Sequence, residues 1–157
     1  MKFFKTSKAY YLNKSTYINL RWIAIIGQFI TINSVKFIFN FEFNYLLANF
    51  VIFLGALSNL YLLYFYNKNQ ISNRSSFNFL SIDIIQLSYL LYLSGGVLNP
   101  FSIFLLIPSV FSSSNLDIRT NLTLIFITIL SIIFLTFIYE DLPHPINKII
   151  IVVEDYY

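Results

Sequence analysis

The residues best suited to chemistry in this chain form a short turn, Gly95-Gly96-Val97-Leu98-Asn99-Pro100-Phe101. Paired glycines adopt backbone conformations that other residues resist, and they allow a ligand to approach the main chain closely. Asn99 and Pro100 are typical of a helix start, as the N-cap and the first helical residue. Uncovered amides at such a start attract carbonyl or anionic oxygens, and Phe101 offers a face for a flat ring. The turn is therefore either a well-made helical hairpin or a ligand site.

A second polar feature is Asp83, six residues into a predicted helix and so about 9 Å from its end. A carboxylate at that depth in a membrane is costly and usually faces the bundle interior. Gln86 follows at i+3 on the same face, where we expect it to hydrogen-bond Asp83. The two side chains serve either as glue between neighbouring helices or as a functional polar site, and both interpretations stay open.

Several chemistries are not expected. The chain has no cysteine, so disulfides and thiolate metal sites are excluded within it. His144, the single histidine, stands between two prolines without a second ligand, so we predict no metal site. Four glycines cannot build a glycine-rich phosphate loop. No face interleaves basic and aromatic residues, so nucleic acid is not an expected partner. We identify no nucleophilic or paired-carboxylate arrangement and predict no catalytic residue.

The elements that position these residues follow from composition. The chain is 57% hydrophobic and 11% charged, whereas soluble domains carry about 25% charged residues. Residues 43–66, 84–116 and 120–139 contain no charged side chain. A spanning helix needs about 20 apolar residues, and barrel strands would alternate apolar with polar residues. We therefore predict an all-α polytopic membrane helical bundle with membrane lipid as its surroundings.

Five complete spans are predicted, at residues 20–39, 43–66, 77–94, 100–116 and 121–139. Arg21 and Trp22 open the first as an interfacial pair, and Pro108 predicts a kink in the fourth. Residues 1–19 form a basic cytoplasmic segment, residues 20–145 the membrane sensor domain, and residues 146–157 a truncated or aberrant tail. Its apolar part is too short to cross a bilayer, so we expect a C-terminal stub.

Orientation follows from the basic residues. With the N-terminus in the cytoplasm and alternating spans, most of the basic residues fall on the cytoplasmic side, as the positive-inside rule requires. These are Lys2, Lys5, Lys8, Lys14, Arg21, Lys68, Arg74 and Arg119. We therefore expect a multi-pass protein of a bacterial inner membrane with the turn at residues 95–101 on the outer face.

Residues 80–108, LSIDIIQLSYLLYLSGGVLNPFSIFLLIP, resemble the N-terminal membrane region of RegB/PrrB/ActS-type redox-responsive sensor histidine kinases. They contain the family's GGxxNPF heptapeptide whole, preceded by the family's Asp-Ile-x-Gln-Leu pattern. The start of the first span, residues 20–28, is also similar. The resemblance implies that the chain senses the redox state of ubiquinone and passes it to a kinase. The implied quinone site comprises Gly95, Gly96, Asn99, Pro100 and Phe101, with Asp83 and Gln86 as second-tier polar anchors.

The chain also departs from the family pattern. That family has six spans, then a phosphoacceptor histidine and an ATP-binding domain, so we expect this chain to be a truncated, frame-disrupted or partial sensor that is inactive as a kinase alone. ATP and a cognate response regulator would act only in a full-length relative, and a homodimer is expected. Two alternatives stay open. One is a non-enzymatic membrane subunit that binds lipid or quinone structurally, and the other is a transporter fragment.

Overall fold

The computed structural model describes residues 12–142 and 144–145. Within them the chain forms five α-helices, which confirms the predicted all-α architecture. The helices are α1 (Lys14–Phe37), α2 (Tyr45–Phe65), α3 (Asn73–Tyr92), α4 (Leu106–Asn115) and α5 (Ile118–Phe137). Two 3-10 helices, Gly96–Leu98 and Pro100–Leu105, connect α3 to α4. The tail at residues 146–157 and most of the N-terminal segment at 1–19 lie outside the described residues.

Four two-residue strands tie the loops together in two antiparallel pairs. They are β1 (Leu12–Asn13), β2 (Phe41–Glu42), β3 (Gln70–Ile71) and β4 (His144–Pro145). Strand β1 pairs with β3, and β2 pairs with β4. The first pair joins the start of α1 to the connection between α2 and α3. The second pair joins the segment that follows α1 to the segment that follows α5.

Three helices, α1, α2 and α5, are long and apolar enough to cross a membrane. Helix α3 has 20 residues but a more polar composition, and α4 has only 10. Large apolar side chains are widely exposed, for example Phe65 at 73% and Phe137 at 80%. Soluble monomers rarely expose apolar surface on this scale, so the surface is suited to lipid. The crossing of all five predicted spans stays a prediction.

Helix α1 begins six residues before the predicted start at residue 20. The Asn13 side chain caps it by accepting the Thr16 amide at 3.3 Å. The Lys14 ammonium donates to the Leu63 and Tyr66 carbonyls, at 2.9 and 2.6 Å, and so satisfies backbone groups that the end of α2 leaves unpaired. This longer helix places Arg21 about two turns inside α1 instead of at its start.

The fourth predicted span also differs from the structure. Instead of one helix bent at Pro108, a 3-10 segment ends at Leu105 and α4 follows it. Pro108 is the third residue of α4, where its missing N–H is one of the amides that an α-helix start leaves unpaired. The change of helix type occurs at residues 105–106, and the predicted kink at Pro108 stays a prediction.

Polar pairs connect neighbouring helices. Asn33 on α1 and Asn49 on α2 exchange amide hydrogen bonds at 3.0 and 3.3 Å, and Ser109 on α4 lies 2.7 Å from the Thr128 hydroxyl on α5. Such bonds hold helices together where the apolar surroundings offer no competing water. Helix α1 packs mainly on α2, and α3 packs on α2, α4 and α5. Between α1 and α3 the backbones stay apart, and a groove separates them.

Candidate ligand groove between α1 and α3

A cavity of about 520 Å³ runs between α1 and α3, with the Pro100–Leu105 segment and α4 along its third side. Most of its lining side chains are apolar. Leu20 and Phe104, which line it, remain 45% and 46% exposed, so the groove is accessible from the side of the bundle. Asp83 and Ser94 both line it and lie about 16 Å apart along the direction of α3, at 1.5 Å per residue.

Polar groups gather at one end of the groove, here called the Arg21 end (Tyr17, Arg21 and Asp83). The Arg21 Nη2 atom lies 2.8 Å from Asp83 Oδ1 and donates to the Ser58 hydroxyl at 3.1 Å. The Tyr17 hydroxyl donates to Asp83 Oδ2 at 2.5 Å. The Tyr17 ring stacks on Phe111, with centroids 6.2 Å apart and planes 16° apart. These contacts fix both carboxylate oxygens of Asp83.

Helical spacing explains the cluster. Tyr17 and Arg21 are four residues apart on α1 and so share one face, and the guanidinium carbon lies 5.5 Å from the centre of the Tyr17 ring. Arg21 is only 5% exposed, so its side chain points into the bundle, and its expected position near the membrane surface stays a prediction. A buried ion pair offsets its desolvation cost only when further hydrogen bonds satisfy both partners. Here Asp83 is satisfied, but Arg21 Nη1 is buried without a hydrogen-bond partner among the described residues.

One turn further along α3, the Gln86 amide donates to Gln28 Oε1 on α1 at 3.2 Å. The expected hydrogen bond between Gln86 and Asp83 is therefore wrong, because Asp83 already accepts from other groups and Gln86 reaches across the groove. Both glutamines line the groove. Gly27, beside them, has no atom within 4 Å of an added Cβ, so it faces open space instead of packing closely on a neighbour.

The other end is here called the Asn99 end (Ser94, Asn99 and Phe101). The Asn99 amide donates to the Ser94 carbonyl and hydroxyl, both at 2.9 Å, and its oxygen accepts the Phe101 N–H at 2.9 Å. This confirms the predicted N-cap at Asn99, with Pro100 at the start of the helical segment. Phe101 is 42% exposed and packs against Phe104 with ring centroids 5.7 Å apart.

The two glycines of the turn face away from the groove. Their φ angles of 103° and 60° lie in the region that favours glycine. A Cβ on Gly96 would lie 2.6 Å from the Leu135 carbonyl oxygen of α5, and one on Gly95 would lie 2.3 Å from the Leu142 side chain. The lack of side chains at the two glycines therefore lets the end of α5 and the residues after it pack against the turn. At the same place the Glu140 N–H donates to the Tyr92 carbonyl of α3 at 2.8 Å.

The structure therefore brings four of the predicted site residues into one groove, namely Asp83, Gln86, Asn99 and Phe101. Gly95, Gly96 and Pro100 shape the adjoining turn but do not line the groove. Sequence reasoning missed Tyr17, Arg21 and Gln28. Two features of the sequence pointed to Tyr17 and Arg21. Arg21 is an arginine inside an apolar helical segment, four residues after a tyrosine, and a buried carboxylate such as Asp83 needs a cation as its partner. Among the described residues no group of three or more metal-ligating side chains lies together.

The fold thus defines a helical protein with membrane-length helices and a groove between α1 and α3 that several polar side chains line. Over 110 residues the chain is 30% identical to the sensor histidine kinase RegB of Cereibacter sphaeroides, a match that covers 69% of this chain and 24% of that relative. The chain is a homologue of RegB, which confirms the resemblance drawn from residues 80–108. It spans about a quarter of the relative's length. No family model and no solved structure matches the chain.

Proposed function

We propose that the chain is the quinone- and redox-sensing membrane module of a two-component sensor histidine kinase. The observation that carries the proposal is the groove, which two heptapeptide residues, Asn99 and Phe101, line together with Asp83 in a homologue of a sensor kinase. Its volume of about 520 Å³ is typical of small-molecule sites, which are mainly apolar with a few placed polar groups.

A ubiquinone-type molecule matches this distribution of polarity. It is a flat ring with carbonyl acceptors attached to an apolar isoprenoid tail, so it requires a long apolar channel with few polar contacts. In the proposed site, Asn99 holds the start of the Pro100–Leu105 segment, and Phe101 presents its ring to the ligand. Gly95, Gly96 and Pro100 contribute by shaping the turn and anchoring it to α5.

The signal is a population shift between two arrangements of α1 relative to α3. Their backbones are not in close contact in this region, and the Arg21–Asp83 and Gln28–Gln86 contacts cross the groove between them. A ligand in the groove competes with or completes these contacts and so biases helix spacing. Oxidised and reduced quinone must differ in affinity for the two arrangements for a signal to result.

In the proposed assembly the module is a homodimer in a bacterial inner membrane with a cytoplasmic N-terminus. ATP and the cognate response regulator act on a kinase region and not on the groove. The eight basic residues on the cytoplasmic side and the homology to RegB support this placement.

Quinone binding can be followed through the chain's single tryptophan, Trp22, which neighbours Arg21 on α1. We expect a short-tailed ubiquinone analogue to quench Trp22 fluorescence saturably in detergent micelles. Phe101→Ala should weaken binding by about 1 kcal/mol, or about fivefold, because it removes a half-buried ring from the ligand. Phe126→Ala, which removes a 60% exposed ring on α5, is the matched control and should leave affinity unchanged. Equal affinity of the wild type, Phe101→Ala and Asn99→Ala would refute the site.

A further inference from the structure

The middle of the groove contains a pair of amide side chains that is only partly hydrogen-bonded. The Gln86 Nε2 atom on α3 donates to Gln28 Oε1 on α1 at 3.2 Å, and both side chains line the groove. The Gln28 Nε2 and Gln86 Oε1 atoms have no hydrogen-bond partner in the described part of the chain. Neither atom is among those buried without a partner, so both keep accessible surface. The pair therefore offers an unused donor and an unused acceptor.

A second amide pair, outside the groove, is completely satisfied. Asn33 on α1 and Asn49 on α2 donate to each other at 3.0 and 3.3 Å. Each also donates to a backbone carbonyl of its own helix, at 2.8 and 3.0 Å, so every polar atom of this pair is engaged. An amide group without a partner is costly in apolar surroundings. The incomplete Gln28–Gln86 pair therefore favours a ligand that completes it.

Open space for such a ligand lies beside Gln28. Its neighbour Gly27 lines the groove, and a Cβ added to Gly27 would have no atom within 4 Å. Thr31, one turn beyond Gly27 on the same face of α1, also lines the groove, and its hydroxyl bonds to no described residue. A flat ring that carries carbonyl oxygens therefore finds space next to two unused donors.

The Gln86 side chain is held from the side of α2. It lies directly over Gly55, where an added Cβ would be 2.5 Å from Gln86 Nε2, so the amide fits only because this position has no side chain. The packing fixes the amide without giving its oxygen a hydrogen bond. A group that is fixed before binding loses little conformational freedom when the ligand arrives.

The polar groups at the two ends of the groove are engaged with one another. At one end Arg21 pairs with Asp83, and at the other end the Asn99 amide bonds within the turn. The surface left to a ligand at the Asn99 end is the apolar face of Phe101 and Phe104. That end therefore suits a hydrocarbon tail, and the middle of the groove suits a polar head group.

We infer that the Gln28–Gln86 pair is the head-group site of the groove: a ring carbonyl of the quinone accepts from Gln28 Nε2. The ring lies over Gly27, and the tail runs towards Phe101. This inference rests on the proposed function and places the head group at the middle of the groove instead of at the glycine-containing turn. Gln86 and Gly55 are positioning residues, because Gly55 seats the Gln86 amide and that amide holds the Gln28 oxygen.

Titration calorimetry of the full chain in lipid nanodiscs, with a short-tailed ubiquinone analogue, tests the inference. Gln28→Met/Gln86→Met replaces both amides by apolar side chains of similar length, so that neither amide is left unpaired. This variant should bind the analogue about fivefold more weakly, because the bond from the amide to the ring carbonyl is lost. The matched control Asn33→Leu/Asn49→Leu removes the satisfied amide pair outside the groove and should keep the wild-type affinity.

A further variant tests the position of the ring. Gly27→Leu adds a side chain where no atom lies within 4 Å of the new Cβ, so the fold accommodates it while the space for the ring is filled. We expect its affinity to fall about tenfold or more. Ser114→Leu adds the same side chain at an exposed position of α4 that does not line the groove, and it should bind as the wild type does.

Infrared spectra of the bound analogue, isotope-labelled at its ring carbonyls, give a readout that a purely structural role would not change. A hydrogen bond from Gln28 lowers the carbonyl stretching frequency of the ring. In Gln28→Met/Gln86→Met this frequency should return towards its value in lipid alone, whereas Asn33→Leu/Asn49→Leu should leave it lowered.

The outcomes separate the two proposals. Absence of binding by the wild type would overturn the proposed function itself. If the wild type binds, an unchanged affinity in Gln28→Met/Gln86→Met or in Gly27→Leu would overturn the head-group site alone. Circular dichroism in the same nanodiscs identifies a variant that has not folded, and Gly27→Leu, which removes no contact, then decides the result.

Discussion

Replacing Asp83 with leucine isolates the energetic role of the buried cluster. The substitution leaves the Arg21 guanidinium, 5% exposed, without its counter-ion at 2.8 Å. Breaking a buried ion pair by removing one partner costs about 3–5 kcal/mol. The Tyr17 hydroxyl also loses its acceptor at 2.5 Å, and a hydrogen bond between membrane helices contributes about 0.6 kcal/mol on average. We therefore expect Asp83→Leu to lower the free energy of unfolding by about 4 kcal/mol.

The double variant Arg21→Met/Asp83→Leu gives the contrasting expectation. Replacing both members of a buried pair by apolar side chains of similar volume is often neutral or stabilising, so this variant should unfold within about 1 kcal/mol of the wild type. The loss is then strongly non-additive, as expected for groups in direct contact. Asp141→Leu, which removes an exposed carboxylate, is the matched control and should change stability by less than about 0.5 kcal/mol.

Reversible unfolding in mixed micelles of a mild and a denaturing detergent, followed by circular dichroism, measures these differences. Equal stability of Asp83→Leu and the Asp141→Leu control would contradict a buried Arg21–Asp83 ion pair. So would a double variant whose loss of unfolding free energy equals the sum of the losses in the two single variants at residues 21 and 83.

Two further predictions concern the turn and the start of α5. Gly96→Ala should destabilise the protein by about 2 kcal/mol or more, because φ is +60° and the new Cβ would lie 2.6 Å from a carbonyl oxygen. Its matched control Gly27→Ala, in a helix with no atom within 4 Å, should stabilise by about 0.5–1 kcal/mol, and equal melting temperatures for the two would contradict the packing of the turn. Hydrogen bonds from Thr120 and Asn73 lower the pKa of Asp117, so its stabilising contribution is present above the ordinary carboxyl pKa and is lost as pH falls through the lowered one. Asp117→Asn should therefore flatten the acid side of the curve of melting temperature against pH, and parallel curves for variant and wild type would contradict this.

Continuous apolar runs with local caps were enough to predict the helices. The predicted second span, 43–66, contains α2 at Tyr45–Phe65, and the predicted fifth span, 121–139, overlaps α5 at Ile118–Phe137. The start of α1 was missed because a cap at Asn13 and the pairing of Lys14 with the end of α2 extend the helix into a basic stretch. The cap is local, three residues from its partner, but the Lys14 contacts join residues about fifty positions apart, which no local pattern contains.

The same distinction applies to the groove. The Asn99 cap is a contact within a few residues and was predicted from residue type alone. The Arg21–Asp83 pair joins α1 to α3, and the cover over Gly96 comes from α5. Both depend on how helices pack, so the sequence indicated a costly carboxylate at Asp83 without revealing its partner.

Photolabelling tests most directly whether the groove between α1 and α3 binds quinone. A ubiquinone analogue with a photoreactive group on its ring is incubated with the protein in nanodiscs, illuminated, and the labelled residues are identified by mass spectrometry. We predict labelling of the residues of α1, α3 and the Pro100–Leu105 segment that line the groove, suppressed by excess unlabelled ubiquinone. Labelling confined to the lipid-facing surfaces of α2 and α5, or labelling that unlabelled ubiquinone does not suppress, would contradict the account.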